Sequence, residues 1–294
     1  MLEGVLMRGK KAYAMAIRRP DGVIEMREKQ IPPISEWMKF FRLPLVRGFV
    51  ALCSSMALGF SAISQSAEIA MEGIEYDSTP NSFDIFLNNR FGDKLNDIIM
   101  TVAMVFAVII AIVLFMILPA VLVAFLPIAT AFSGAVEGVL RLLIFLLYVF
   151  FLSRSKDIQR VFQYHGAEHK VINCHEKNLP LTTTNVAACD RLHRRCGTSF
   201  MLVVMTITMI LFMIIRIDGM MLRVASRVLL LPIIAGISYE ISVKWAATHD
   251  NLLVKAIIAP GMLMQRLTTK EPDESQIEVA VMALTRAVEQ DNVY

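Results

Sequence analysis

The sequence predicts a mainly α-helical protein that crosses a membrane several times, and two observations carry this prediction. Of 294 residues, 56 % are apolar and 19 % are charged, and the mean hydropathy is +0.57. That composition is too apolar for ordinary soluble domains. The stretch from Ile98 to Val136 contains no charged residue, although about 20 apolar residues already span the hydrocarbon layer as a helix.

We expect about four transmembrane helices, arranged as two hairpins. The first hairpin covers residues 98–153 and the second covers residues 198–243. The last of these spans has only a short uncharged centre, because Arg227, Glu240 and Lys244 flank it.

The N-terminal 97 residues are expected to stay on one side of the membrane. Residues 1–42 predict a small cytosolic β-hairpin, because two short strand patterns flank the turn Pro20-Asp21-Gly22. Residues 43–97 predict an amphipathic or re-entrant helix followed by a polar connection. If residues 43–70 spanned the membrane, the eight basic residues between Arg154 and Arg195 would face outward, against the positive-inside rule.

Basic residues are concentrated in the segments outside the predicted spans. Ten Lys and Arg precede Gly48. This bias is better explained by positive-inside topology than by binding of nucleic acid, which is not expected. Both termini and residues 154–197 should therefore be cytosolic. In the C-terminal region, residues 244–294, Ser275 and Glu278 form a capping-box pattern ahead of a terminal helix with one apolar face.

A cluster of histidines and cysteines lies between the two predicted hairpins. The string from His165 to His169 reads His-x-x-Glu-His, and on a helix its two imidazoles project from the same face. Glu168 lies between them and is the candidate general base, as in zinc peptidases with the same string.

A second pair, His193 and Cys196, follows as His-x-x-Cys. With the first pair it would complete a tetrahedral site for Zn²⁺, with Fe²⁺ as the alternative ion. Four protein ligands would make a closed, structural site. If Cys196 or His193 is not a ligand, water could occupy the open position beside Glu168.

Three ionisable residues fall within the predicted spans. Glu137 and Arg141 are four residues apart and can pair along one helix. Glu240, towards the cytosolic end of the fourth span, could reach the metal region. The alternative for all three is a structural ion pair near the membrane interface.

Four strings resemble the bacterial YqhQ-like family (domain of unknown function 1385), and the similarity covers nearly the whole chain. They begin at Glu3 (EGVLMRG), Phe162 (FQYHGAEHK), Arg195 (RCGTSF) and Leu231 (LPIIAGISYE). The chain departs from the family pattern at Arg194, where Pro is usual. The resemblance implies a protein of the bacterial cytoplasmic membrane that is described as a predicted metal-dependent enzyme.

Two functions of different classes are compatible with these patterns. The first is a zinc-dependent hydrolase acting at the cytosolic membrane face, with Glu168 as general base. The second is a non-catalytic scaffold or insertion factor, in which a structural metal stiffens the cytosolic segment and basic surfaces hold a membrane protein or lipid headgroups. A transporter using Glu137 and Glu240 is disfavoured, since four spans and no repeat are visible.

Overall fold

The computed structural model describes residues 1–9, 11–31, 41, 43–71, 92, 95–127, 130–194, 196–215, 220–245, 249 and 251–292. Most of the predicted polar connection between Glu72 and Asp97 therefore lies outside the described residues. The chain divides into two compact units. The first comprises residues 1–72 and 146–294, and the second comprises residues 73–145.

Three strands form an antiparallel sheet in the order β1 (Gly4–Arg8), β2 (Ala12–Arg18) and β3 (Ile24–Gln30). The predicted hairpin corresponds to β2 and β3. At its turn Gly22 has a φ of +87°, a conformation that glycine adopts without steric cost. Strand β1 was not predicted, because the string that forms it is too short to show an alternating pattern.

The rest of the described chain is mostly helical. In chain order the helices are α1 (Val46–Met71), α2 (Leu95–Ile112), α3 (Leu118–Ala124), α4 (Thr130–Leu152), α5 (Lys156–Glu176), α6 (Thr183–Ala187), α7 (Gly197–Ile214), α8 (Met220–Tyr239), α9 (Leu252–Thr268) and α10 (Glu274–Asn292). A π-helical turn, Val113–Ile117, joins α2 to α3, and another, Glu240–Trp245, follows α8.

Four helical segments in the described residues are long and apolar enough to cross a membrane: Val46–Ala70, Thr101–Ala124, Phe132–Leu152 and Gly197–Ile214. The number agrees with the prediction, but one member differs. Val228–Ser242 is a shorter apolar helix, since arginines occupy the first part of α8. Val46–Ala70 meets the same length and composition criteria, although it was not expected to span.

Helix α1 is anchored at both of its ends within the first unit. Near its start, Gly48 lies so close to α8 that an added Cβ would be 2.9 Å from the Cα of Gly236. Near its end, Ala62 and Ile69 pack with Met15 of the sheet. The small residues at the first contact allow the two helix backbones to approach closely.

The main core of the first unit lies between the sheet and helices α5, α6 and α10. Its buried residues include Val5, Ala14, Tyr164, Val171 and Ala283. The apolar face of α10 thus packs on the protein's own sheet and α5.

The start of α10 differs from the predicted capping box by two residues. Asp273 Oδ1 accepts the Gln276 N–H at 2.9 Å, and the Asp273 N–H donates to Gln276 Oε1 at 3.0 Å. These reciprocal bonds satisfy two of the free backbone donors at the helix start. The sequence pattern at Ser275 was misleading, because Asp273 offers the same capping chemistry two residues earlier.

Candidate metal centre

One face of α5 lines a pocket of about 490 Å³ with the residues His165, Glu168, His169, Ile172 and Glu176. These positions recur every three or four residues and therefore project from the same side of the helix. The opposite side of the His-x-x-Glu-His string belongs to the core, where Ala167 is fully buried. The string thus separates a packing face from a polar face.

Gly166 allows the segment after α9 to approach α5 closely. A Cβ on Gly166 would lie 2.1 Å from the carbonyl oxygen of Lys270, which no side chain could tolerate. The same approach lets the Lys270 N–H donate to Phe162 O at 2.9 Å. It also brings the Thr268 carbonyl oxygen within 2.8 Å of His165 Nδ1. The glycine therefore serves to position His165.

Both imidazoles of the string are oriented by backbone carbonyl groups. His165 Nδ1 bonds Thr268 O at 2.8 Å, and His169 Nδ1 bonds Arg191 O at 2.7 Å. Because a carbonyl can only accept a hydrogen bond, each Nδ1 carries the proton and a neutral ring keeps its lone pair on Nε2. Such second-layer bonds are typical of histidines that ligate metals.

Cys196 brings a sulfur atom to the same place from the N-terminus of α7. Its Sγ lies 3.2 Å from His165 Nε2 and accepts the Thr198 N–H at 3.4 Å. Ligand atoms from His165, His169 and Cys196 lie within 4.8 Å of one another. Bonds of roughly 2.0–2.3 Å in a tetrahedral zinc site place ligand atoms about 3.3–3.8 Å apart, so the set fits Zn²⁺ with small adjustments.

The surroundings of the pocket shift the pKa values of Cys196, His165 and Glu168. Burial opposes the thiolate of Cys196, but hydrogen bonds with His165 and His169 outweigh it and lower the pKa to about 5. Burial likewise opposes the charged form of His165, yet its contact with Cys196 raises the pKa to about 9. Desolvation in the pocket raises the pKa of Glu168. The lowered pKa favours the thiolate of Cys196, which is the form that ligates metals.

Side chains of α5 hold the loop that precedes Cys196. Lys170 is buried and its Nζ donates to the carbonyl oxygens of Ala187 and Cys189 at 2.8 and 2.9 Å. One turn further on, Asn173 Nδ2 donates to Asp190 O at 2.7 Å and to Leu192 O at 3.0 Å. These contacts fix the backbone that orients His169.

Gln265 of α9 fixes the same loop from the other side. It is fully buried, its Oε1 accepts the His193 N–H at 2.9 Å, and its Nε2 donates to His193 O and Ser199 Oγ at 2.8 Å each. Sequence reasoning missed Lys170, Asn173 and Gln265 as positioning residues. Nothing in their spacing reveals loop partners, and those of Gln265 are some 70 residues away.

His193, the fourth ligand of the predicted set, has a different partner from the other three. Gln265 bonds the backbone of His193, and His193 Nε2 lies 3.3 Å from Glu176 Oε1. Its ring centroid is 5.8 Å from that of His169, whereas the rings of His165 and His169 are 4.4 Å apart. His193 lines the pocket wall but belongs to a pair with Glu176 and not to the group of three.

The ionisable residues predicted within the spans have other hydrogen-bond partners. In the second unit, Arg141 donates to Glu137 Oε1 at 2.8 Å and to Phe115 O at 2.7 Å, and the Glu137 side chain is 2 % exposed. Glu240 accepts a hydrogen bond from Arg47 Nε at 2.6 Å. The described residues that line the pocket do not include Glu240. Its carboxylate is paired with the guanidinium of Arg47 on α1.

The fold and the site together define a class: a mainly helical protein with several membrane-length apolar helices and a His/His/Cys cluster at the start of one of them. Residues 43–290 match the family described as "Protein of unknown function (DUF1385)". The chain is also 35 % identical over 286 residues to "Uncharacterized protein YqhQ" of Bacillus subtilis (strain 168), covering 96 % of this chain and 88 % of that protein. The chain belongs to this YqhQ-like family, as its motifs predicted. No solved structure matches it.

Proposed function

We propose that the protein is a membrane metalloenzyme whose pocket binds Zn²⁺ through His165, His169 and Cys196, with Fe²⁺ as the alternative ion. The observation that carries this proposal is the orientation of the two imidazoles. Both Nδ1 atoms are held by carbonyl oxygens, and the three ligand atoms converge within 4.8 Å. Three protein ligands, with His193 engaged elsewhere, favour a catalytic ion with an open position over a closed structural one.

The proposed reaction is hydrolysis of a membrane-proximal substrate. A zinc ion in this position would supply Lewis acidity and lower the pKa of bound water. Glu168 lies in the same pocket on the face that carries both histidines, and is therefore placed to accept a proton as general base. Burial raises the pKa of Glu168, and a carboxylate with a raised pKa is a stronger base.

We further propose that the site faces the cytosol of a bacterial cell, with both termini on that side of the cytoplasmic membrane. Cys196 precedes the candidate span Gly197–Ile214 directly, so the pocket would lie at the level of the lipid headgroups. Helix α1 touches α8 at Gly48 and the sheet at Ile69. These two anchors within one unit favour a peripheral position for α1 over a crossing.

The competing function is a scaffold or insertion factor with a structural metal. It draws support from the bonds by which Lys170, Asn173 and Gln265 stiffen the loop. Such a protein would use the metal to hold its shape. It would not need the carboxylate of Glu168.

The two functions separate on substitution of Glu168 by Gln. Purified protein, loaded with zinc, is incubated with chromogenic esters, amides and phosphates and with a bacterial polar-lipid extract, and products are followed by absorbance and mass spectrometry. We expect zinc-dependent turnover that falls at least 100-fold in Glu168→Gln, about the contribution of a general base. Zinc content should be unchanged.

Glu274→Gln is the matched control, because Glu274 is exposed on α10 and lies outside the pocket. It should retain full turnover. Equal turnover in the Glu168 and Glu274 variants would show that Glu168 is not the general base. A fully zinc-loaded protein that turns over none of these substrates would favour the scaffold.

A further inference from the structure

A second cavity, separate from the metal pocket, lies along α9. It has a volume of about 400 Å³ and is bounded by α9 and by residues of the loop before Cys196. Apolar side chains of Ile258, Met262 and Leu263 contribute to its lining, together with the cationic residues Arg194, Lys255 and Arg266. None of the described residues that line this groove is acidic.

The groove is one face of an amphipathic helix. Its α9 members recur at intervals of three or four residues and so share one side. The adjoining side packs inward, where Gln265 is fully buried and a Cβ on Gly261 would lie 2.6 Å from Ser199 Cβ. Leu263 is 60 % exposed and Met262 is partly exposed, so the groove presents apolar surface between its basic side chains.

The position of the groove indicates what covers it. Ser199, which contacts α9, belongs to the first turn of α7, a candidate membrane span. If α7 crosses the bilayer, α9 lies at the level where lipid phosphates meet the acyl chains. Interfacial helices with one apolar face and flanking Lys and Arg residues bind anionic lipids at that depth.

We propose that the groove along α9 binds an anionic phospholipid. Arg194, Lys255 and Arg266 would hold the phosphate-bearing headgroup, and an acyl chain would cover Met262 and Leu263 above the buried Ile258. The proposal does not depend on a metal in the neighbouring pocket.

Trp245 supplies a reporter, because it packs against Val254 and Ile258 of α9. The chain has two tryptophans, so Trp37→Phe leaves Trp245 as the single fluorophore. The protein is reconstituted into phosphatidylcholine nanodiscs that contain increasing fractions of dibrominated phosphatidylglycerol or dibrominated phosphatidylcholine. We expect brominated phosphatidylglycerol to quench Trp245 at a several-fold lower mole fraction than brominated phosphatidylcholine.

The preference should disappear in the variant with Arg194→Gln, Lys255→Gln and Arg266→Gln. Each single substitution should remove part of the preference, because it removes one of three basic groups near the anionic headgroup. The single variants keep the test valid if the triple variant does not fold. The matched control is Lys29→Gln, Lys177→Gln and Arg286→Gln, which removes three exposed charges elsewhere and should retain the preference.

Three results would overturn the proposal: equal quenching by both lipids in the parent, loss of the preference in both triple variants, or displacement of the lipid by millimolar inorganic phosphate. The last would indicate a site for soluble anions. Zinc content measured on the same samples separates this proposal from the enzyme. A lipid preference in protein that contains no zinc would support the lipid site and contradict the metal centre.

Discussion

Helix α5 and the apolar helix over residues 101–124 are buried in opposite ways. In α5 polar groups are turned inward, and the side chains of His169 and Lys170 are 2 % and 6 % exposed. In the apolar helix large hydrophobic side chains point outward, and Val102 and Phe106 are more than 60 % exposed. Each arrangement would be costly in the other's surroundings, since water penalises exposed apolar groups and lipid satisfies no polar ones.

The difference shows which forces hold each region. The apolar helix forms its hydrogen bonds within its own backbone, and its exposed side chains are suited to a hydrocarbon solvent. The region around α5 depends on hydrogen bonds to loops far away in the chain, such as those from Lys170 to Ala187 and from Gln265 to His193. Substitutions in the two regions should therefore fail in different ways, the first in stability alone and the second in metal binding too.

The largest expected effect on stability comes from Arg141→Leu in the apolar region. Glu137 is 2 % exposed and bonded to Arg141, so the substitution leaves a buried carboxylate without this partner. Breaking a buried pair in this way costs about 3–5 kcal/mol. Denaturant unfolding in detergent, followed by circular dichroism, should show the loss while zinc content stays normal.

The paired variant Glu137→Met with Arg141→Leu is the control. It removes both charges and should recover most of the stability. Parental stability in Arg141→Leu would contradict the contribution of the ion pair. Loss of zinc in that variant would show that the two regions are not independent.

Gly166→Ala should damage the site region next most strongly. Its Cβ would meet the Lys270 carbonyl oxygen at 2.1 Å, and overpacking of this kind costs about 1–3 kcal/mol. His165 would also lose its bond to Thr268, so zinc binding should weaken. Thermal unfolding and zinc titration measure both effects.

Gly197→Ala is the matched variant, because a Cβ there meets nothing within 4 Å. It should bind zinc like the parent. A Gly166→Ala protein with parental stability would show that α5 and the segment after α9 are farther apart than the 2.1 Å contact implies.

Gln265→Leu should weaken zinc binding with a smaller loss of stability. It removes three hydrogen bonds to His193 and Ser199. Loss of a direct partner of a ligand lowers metal affinity 10–100-fold, and because Gln265 acts through the loop we expect the lower end, about tenfold. Gln290→Leu, at an exposed bond to Glu28, should have no effect. Affinities would come from competition with a fluorescent chelator, and parental affinity in Gln265→Leu would contradict the role of the loop.

The smallest effect is the pH dependence of zinc binding. Contact with the Cys196 thiolate raises the pKa of His165 to about 9, so a proton must leave when the ring ligates zinc. Between about pH 6 and 8 the apparent affinity should therefore rise about tenfold per pH unit. Calorimetry in buffers of different ionisation enthalpy should detect about one proton released per zinc at pH 7. Affinity independent of pH between 6 and 8 would contradict ligation by His165.

Much of this comparison could be predicted from the sequence, and the reasons are local. Hydropathy over residues 98–136 predicts the apolar hairpin, and the spacing of His165 and His169 predicts that both project from one face. The carbonyl partners of those histidines and the clamp by Gln265 could not be predicted, since they depend on contacts between segments distant in sequence. The pairing of His193 with Glu176 was missed for the same reason.

The most direct test of the metal centre is the zinc content of protein purified in detergent without chelators, measured by elemental analysis. The parent should contain one zinc per chain, and His165→Ala and Cys196→Ala should each contain almost none. His175→Ala should retain it, because His175 is exposed at the end of α5. Protein that contains no metal, or variants that keep it, would contradict the assignment of His165, His169 and Cys196 as ligands.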